Sequence, residues 1–240
     1  GYLFNSTIAG IEQADAILLI GTNPRREAAV LNARIRKRFL TGKTRIALIG
    51  AEADVTYRYQ HLGSSAAILS DIAAGTHAFA GTLKQAQKPM LILGSGALAR
   101  PDGAANLAAA RSVAEACGLV KEGWNGFNVL HRVASRVGGL DLGFLPTGGG
   151  RGTNAILSGA ESGDIDIVYL LGADEIDMKR LGKAFVIYQG HHGDAGAARA
   201  DVVLPGAAYT EKDGTYVNTE GRVQRAVRAV FPVGEAREDW

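Results

Sequence analysis

The chain is predicted to be an α/β protein built from Rossmann-like parallel sheets flanked by helices. Two observations predict this: apolar runs of strand length recur along the chain and end in glycine, and helical patterns separate most of them. The runs lack apolar–polar alternation, which indicates strands covered on both faces. They lie at residues 16–21, 46–50, 90–94, 167–172 and 185–190.

Three helices are predicted between these strands. The first begins with Asn23 as a cap and Pro24 at the first helical position, and it ends at Gly42. The second spans residues 106–117 and is followed by a glycine. The third is predicted over about residues 126–137, because its apolar residues recur at helical spacing.

A polar, proline-bearing stretch at residues 85–89 is the predicted domain boundary. It divides the chain into a first α/β lobe (1–86) and a second (87–200). An irregular C-terminal segment (201–240) is expected to pack on the lobes. The chain does not begin with methionine and stops within a charged stretch, so we interpret it as part of a longer polypeptide.

Composition excludes some classes of function for this region. The net charge of +2 over 240 residues gives no argument for binding nucleic acid or an anionic membrane surface. Cys117 is the only cysteine, so the region forms no intrachain disulfide and cannot hold an iron–sulfur cluster, which takes about four thiolates. Its place in a helical pattern predicts a core residue. No apolar run approaches the roughly 20 residues of a membrane helix.

The run from Gly94 through Gly96 to Ala99 fits a dinucleotide fingerprint after a strand. However, Pro101 interrupts before the next helix, and no acidic residue ends a following strand at the expected distance. A tight strand-to-helix turn therefore remains the favoured interpretation over a nucleotide site.

Two further stretches suggest ligands. Residues 147–154 could cradle an anion with backbone amides and Arg151, although a surface loop is the simpler interpretation. The pair His191-His192 follows a strand and invites a metal interpretation. Neighbouring histidines point in different directions and no further ligand stands at metal-binding spacing, so a polar loop is favoured.

The first predicted helix is strongly basic. It could contact a phosphate, a partner protein or only solvent, and we favour a partner surface. Under that hypothesis, replacing Arg25, Arg26 or Arg38 by glutamate weakens assembly with neighbouring subunits and leaves the isolated fold intact. The basic residues are Arg25, Arg26, Arg34, Arg36, Lys37 and Arg38.

Three stretches resemble the large subunits of molybdopterin-dependent oxidoreductases. Residues 200–224 form an apolar strand, a Pro-Gly break and a polar run like one found in that superfamily. Residues 15–24 resemble its strand followed by a G-x-N turn, which meets the pterin nucleotide in active members. Residues 163–172 resemble a later strand that G-x-N-P usually follows. The resemblance implies lobes of the molybdopterin-oxidoreductase type.

Two departures from that pattern imply that the fold is kept and the cofactor lost. Active members commonly have His-Pro where this chain has Ala28-Ala29. The second turn reads Gly172-Ala173-Asp174-Glu175, which places two carboxylates where an anionic cofactor would approach.

Within the superfamily, the chain most resembles the large iron–sulfur subunits of respiratory complex I. Residues 1–12, 21–25, 188–194 and 206–212 carry this likeness. It implies a non-catalytic scaffold without catalytic, cofactor-binding or metal-binding residues in this region. The iron–sulfur clusters of such subunits lie in an N-terminal, cysteine-rich part that this chain does not contain.

The same resemblance implies partners and a location. The partners would be other subunits of the peripheral arm of complex I, without nucleic acid and without direct membrane insertion. The location would be the cytoplasmic side of a bacterial inner membrane or the matrix side of a mitochondrial one. Two alternatives stay open: a cofactor-binding fragment of an active formate- or nitrate-type molybdoenzyme, and a nucleotide-binding module using Gly94 and Gly96.

Overall fold

A computed structural model describes residues 1–240 as two compact units. The first comprises Gly1–Gly138 with Val217–Arg222, and the second Gly139–Tyr216 with Val223–Trp240. None of the chain's helices has the length and hydrophobicity of a membrane-spanning segment.

The first unit contains a five-stranded parallel sheet and a short antiparallel pair, β5 with β6. The strands are β1 (Ala16–Ile20), β2 (Arg45–Ile49), β3 (Gln60–Gly63), β4 (Pro89–Gly94), β5 (Val120–Lys121), β6 (Trp124–Asn125) and β7 (Phe127–Leu130). The order in the sheet is β3-β2-β1-β4-β7, so the chain moves outward first on one side of β1 and then on the other. This is doubly wound topology.

Helices flank both faces of this sheet. They are α1 (Pro24–Glu27), α2 (Ala29–Leu40), α3 (Ala67–Ala74), α4 (Ala78–Gln85), α5 (Ser95–Leu98) and α6 (Gly103–Ala116), with a 3₁₀ helix at Ala9–Gln13. A seventh, α7 (Arg136–Asp141), contains the boundary between the units.

The continuous apolarity of β1 follows from burial on both faces. Leu18 and Ile20 pack with α3, α4 and α6, whereas Ile17 and Leu19 pack with α2 and the 3₁₀ helix. All five residues of β1 are buried. Because side chains alternate across a strand, an apolar residue is needed at every position.

The second unit contains a smaller parallel sheet in the order β10-β9-β8. Its elements are α8 (Thr153–Ser162), β8 (Ile167–Leu171), a 3₁₀ helix (Met178–Leu181), β9 (Phe185–Gly190), α9 (Ala195–Arg199) and β10 (Val202–Pro205). The strands β11 (Gly214–Val217) and β12 (Val223–Ala226) form a separate two-stranded sheet. The expectation of an α/β fold with parallel sheets flanked by helices is confirmed.

The predicted third helix at 126–137 is wrong. Residues 127–130 form β7, which pairs with β4 from Leu91↔Phe127 onward, and helix α7 begins only at Arg136. The three-residue spacing of Phe127 and Leu130 does not indicate a helix here, because the two side chains are buried on opposite faces of a strand. Between them, the polar Asn128 is fully buried and hydrogen-bonded.

The predicted first helix is broken into α1 and α2. Ala28 lies between them with φ −156° and ψ 71°, far from helical values. The Asn23 side chain makes no capping hydrogen bond, contrary to expectation. The Glu27 carboxylate instead accepts the Asn23 N–H at 2.7 Å.

The structure divides the chain differently from the predicted lobes 1–86, 87–200 and 201–240. Strand β4 pairs with β1 from Ala16↔Pro89 onward, so the chain after residue 86 continues the first sheet. The division instead falls at Gly138–Gly139. Residues 201–240 are shared, because 217–222 belong to the first unit and the rest to the second.

Candidate functional site

A cleft of about 530 Å³ opens at the carboxyl ends of β1, β2 and β4. Its floor includes Ile20 and Ile49, and its rim includes the turns that follow these strands at Gly21 and Gly50. In doubly wound sheets, ligands bind at this kind of edge, where the direction of winding reverses. The topology therefore makes this cleft the first place to look for a binding site.

The turn after β1 is filled by an acidic side chain of the same chain. One carboxylate oxygen of Glu27 accepts the Asn23 N–H at 2.7 Å, and the other accepts the Thr22 hydroxyl at 2.9 Å. These two donors stand at the start of the four-residue helix α1, and backbone donors at a helix start can bind an anion. The carboxylate of Glu27 thus occupies the anion position.

Acidic groups outnumber basic ones around the cleft. Glu27, Glu52 and Asp102 line it together with a single cation, Arg100. That guanidinium donates to Asp102 at 2.7 Å, and this hydrogen bond lowers the pKa of Asp102 below its usual value. Asp102 also accepts from Asn106 at 3.2 Å. The one cation is therefore already paired within the chain.

Gly94 of the fingerprint is required by packing against the turn after β1. A Cβ at Gly94 would lie 2.4 Å from the Gly21 carbonyl oxygen and 2.7 Å from the Cβ of Thr22. At Gly96 the nearest atom would be the same oxygen at 3.5 Å, an ordinary contact. The first glycine lets two turns of this chain approach each other, in agreement with the tight-turn interpretation.

Comparison with known proteins assigns the chain to a family. The family model for molybdopterin oxidoreductases matches residues 1–240. The chain belongs to the molybdopterin oxidoreductase family. It is 49% identical over 238 residues to the G subunit of NADH-quinone oxidoreductase from Rickettsia bellii (strain RML369-C) and 50% identical to that from Rickettsia felis (strain ATCC VR-1525 / URRWXCal2).

Each alignment covers 99% of this chain but only 33% and 34% of the respective relative. The chain therefore spans about a third of the length of these curated relatives. The resemblance inferred from the motifs is confirmed, both to the molybdopterin oxidoreductases and to the complex I subunit.

The residues at the cleft do not fit the anionic pterin nucleotide that this family is named for. A pyrophosphate at the β1 turn would need the Asn23 N–H and the Thr22 hydroxyl, and Glu27 already uses both. It would also meet the carboxylates of Glu52 and Asp102 in the same cleft. A phosphate would add a further negative charge to a cleft that carboxylates already line, so the turn favours its own carboxylate over a phosphate.

The second departure from the family pattern lies in the second unit. Asp174 and Asp194 lie near the carboxyl ends of β8 and β9. Both carboxylates interact electrostatically with the phenol of Tyr188. Burial, and then these two carboxylates, raise the pKa of the Tyr188 phenol. This edge of the sheet therefore also carries negative charge, as the sequence Gly172-Ala173-Asp174-Glu175 predicts.

The other candidate ligand residues are Arg151 and the pair His191-His192. The rings of His191 and His192 lie edge to face, 4.3 Å apart, and no group of three His, Cys, Asp or Glu side chains in residues 1–240 could hold a metal. The guanidinium of Arg151 lies beside Gly159 of α8. Cys117 is buried in the core as predicted, and burial raises the pKa of its thiol.

Most of the basic residues of α1 and α2 are engaged within the first unit. Arg34 and Lys37 both pair with Glu12 at 2.6 Å, and hydrogen bonding from Lys37 is the main cause of the lowered pKa of Glu12. Arg38 donates to the Ala14 carbonyl at 2.7 Å, and Arg25 pairs with Asp54. Arg38→Glu would therefore disturb the fold itself.

Arg36 is also engaged within the first unit, since its guanidinium donates to the Thr56 carbonyl at 2.6 Å. Arg26 is exposed and forms no ion pair. Of the basic residues named, it best fits the hypothesis of a partner surface.

Sequence reasoning missed Glu27, Glu52, Arg100 and Asp102 as residues of the cleft. Only Glu27 had a usable signal, because an acid shortly after Asn-Pro can reach back to cap a helix start. The others come together through the pairing of β2 and β4 with β1.

Proposed function

We propose that this chain is a cofactor-free structural part of a subunit of NADH:quinone oxidoreductase, the respiratory complex I. The parent polypeptide would be the G subunit of that enzyme, about three times as long as this chain, like the relatives it matches. Electrons from NADH would pass towards quinone through iron–sulfur clusters held elsewhere in that polypeptide. This chain would serve as a structural scaffold beside the part that holds the clusters.

The observation that carries the proposal is the carboxylate of Glu27 in the anion position. The fold keeps the cleft, but the carboxylate of Glu27 accepts from the two donors that a phosphate would use. This supports loss of the cofactor rather than its binding. The buried environment of the donors strengthens the point, because Thr22 is only 7% exposed. A buried hydroxyl needs a partner, and here the chain supplies it.

Partners and location follow from the same proposal. The neighbours would be other subunits of the peripheral arm of complex I, in agreement with the names of the relatives. The location would be the cytoplasmic face of a bacterial inner membrane or its mitochondrial equivalent. Arg26 is the basic residue we expect to contact such a neighbour.

Glu27→Ala tests the anion position directly. The change leaves two donors unpaired, so we expect a loss of about 1–3 kcal/mol in the free energy of unfolding. It also opens the turn, so pyrophosphate at millimolar concentration should raise the Tm of the Glu27→Ala parent polypeptide and leave that of the unchanged parent where it is.

The matched control is Glu52→Ala, which removes a carboxylate from the same cleft but not the partner of these donors. It should show no gain with pyrophosphate. The proposal would be contradicted by a rise in the Tm of the unchanged parent with pyrophosphate, which at 100 times the dissociation constant corresponds to about 2.7 kcal/mol.

A further inference from the structure

One face of the second sheet is apolar and exposed, contrary to the expectation that its strands are covered on both faces. We name this surface the outer face; its residues are Ile167, Tyr169, Leu171, Phe185, Val202 and Leu204. Pairing aligns them across the sheet, since Ile167 pairs with Phe185, and Tyr169 and Val202 both pair with Ile187. They therefore form one continuous patch.

The opposite face is covered on β8 and β9, whereas Val203 of β10, which pairs with Tyr188, is 49% exposed. Val168, Leu170, Val186 and Tyr188 alternate with the outer-face residues and lie in a core with α8 and α9. The contrast is clearest for two tyrosines on neighbouring strands: Tyr169 is 50% exposed and Tyr188 is 3% exposed. Large apolar patches of this kind mark surfaces that pack against something else.

Topology explains why one face is bare. The chain passes from β8 to β9 to β10 in one direction across the sheet, and α9 and the 3₁₀ helix at Met178–Leu181 both pack on one face. Crossovers between parallel strands share one hand, so winding in a single direction places all connections on the same side. Helices on the other side come from chain that winds the opposite way, as in the first unit.

The chemistry of the outer face fits the apolar side of an amphipathic helix. It contains no charged residue, and its polar neighbour Gln189 accepts a hydrogen bond from the Tyr169 hydroxyl. A charge pressed against this surface would lose its water without gaining a partner. Three strands about 4.8 Å apart make a strip about 10 Å wide, which matches the diameter of one α-helix.

We propose that the outer face is the docking surface for an amphipathic helix of the parent polypeptide that lies outside these 240 residues. The relatives have about two-thirds of their length beyond the matched region, enough to supply that helix. The inference rests on the proposed parent polypeptide but not on the absence of its cofactor. It therefore stands or falls separately from the cofactor measurement.

Hydroxyl-radical footprinting of the parent polypeptide, purified without other subunits, tests this proposal. Tyr169 and Phe185 should be oxidised about tenfold more slowly than in the 240-residue chain, approaching the rate of Tyr188. Tyr188 is the matched control, because it lies on the adjacent strand and the covered face in both proteins. Equal oxidation of Tyr169 in the two proteins would overturn the proposal.

Two other outcomes would also overturn it. Protection that arises only after other subunits are added would assign the face to a neighbouring subunit. Protection in the 240-residue chain that disappears on dilution would assign it to a second copy.

If the 240-residue chain does not fold by itself, a substitution in the parent polypeptide tests the proposal. Tyr169→Lys should lower the Tm and speed the oxidation of Phe185, whereas Tyr209→Lys, at an exposed tyrosine off the outer face, should change neither. Equal effects of the two substitutions would contradict docking.

Discussion

Replacing Gly94 by alanine is expected to destabilise the first unit strongly. The new Cβ would lie 2.4 Å from the Gly21 carbonyl oxygen, a distance that real Cβ atoms do not adopt. That oxygen belongs to the backbone of the turn after the buried strand β1, where the Gly21 N–H donates to the Ile49 carbonyl at 2.8 Å, so it cannot move aside as a flexible side chain would. We expect a loss of about 3 kcal/mol or more in the free energy of unfolding, measured by urea denaturation.

Two other glycines provide controls for this prediction. Gly96→Ala meets its nearest atom at 3.5 Å and should change stability little. Gly81→Ala lies inside α4 with open space around it and should stabilise by about 0.5–1 kcal/mol through helix propensity. A Gly94→Ala protein as stable as Gly96→Ala would show that the two turns are not held in contact.

Replacing Asn128 by leucine is expected to have the second large effect. The fully buried amide accepts from the backbone N–H and the hydroxyl of Ser6, and it donates to the carbonyls of Leu91 and Gly126. Leucine has a similar size but leaves the N–H and the hydroxyl of Ser6 unpaired, at about 1–3 kcal/mol for each buried group. We expect a loss of about 3 kcal/mol or more by urea denaturation.

The control for this prediction is Asn154→Leu, at an exposed position of α8. Exposed substitutions of this kind usually stay within about 0.5 kcal/mol of the starting protein. If Asn128→Leu fell in the same range, the buried network would contribute little to holding residues 3–6 against β7.

The central strands could be predicted because burial on both faces requires a continuous run of apolar residues. Each apolar run ending in glycine corresponds to a strand, and the parallel pairing follows from the helices between them. Strand β7 could not be predicted in the same way. Its buried Asn128 interrupts the apolar run, and only long-range hydrogen bonds to residues 6 and 91 make that burial tolerable.

Only some of the acidic residues at the carboxyl ends of the strands in the two units could be identified from the sequence. Asp174 and Glu175 stood out because they replace residues of a resembled motif. Glu27 offered only its spacing after Asn-Pro as a signal, and its position depends also on the break at Ala28, where the backbone leaves the helix at φ −156°. The bare outer face could not be foreseen either, since β8 is as continuously apolar as β1 although only alternate residues of β8 are buried.

The metal and pterin content of the purified parent polypeptide tests the central claim most directly. Elemental analysis for molybdenum, tungsten and iron, together with fluorescence of the oxidised pterin, would be measured on the same preparation. The account predicts iron from clusters outside this chain, with neither molybdenum, tungsten nor pterin. Stoichiometric pterin with molybdenum or tungsten would contradict it and make this cleft part of an active site.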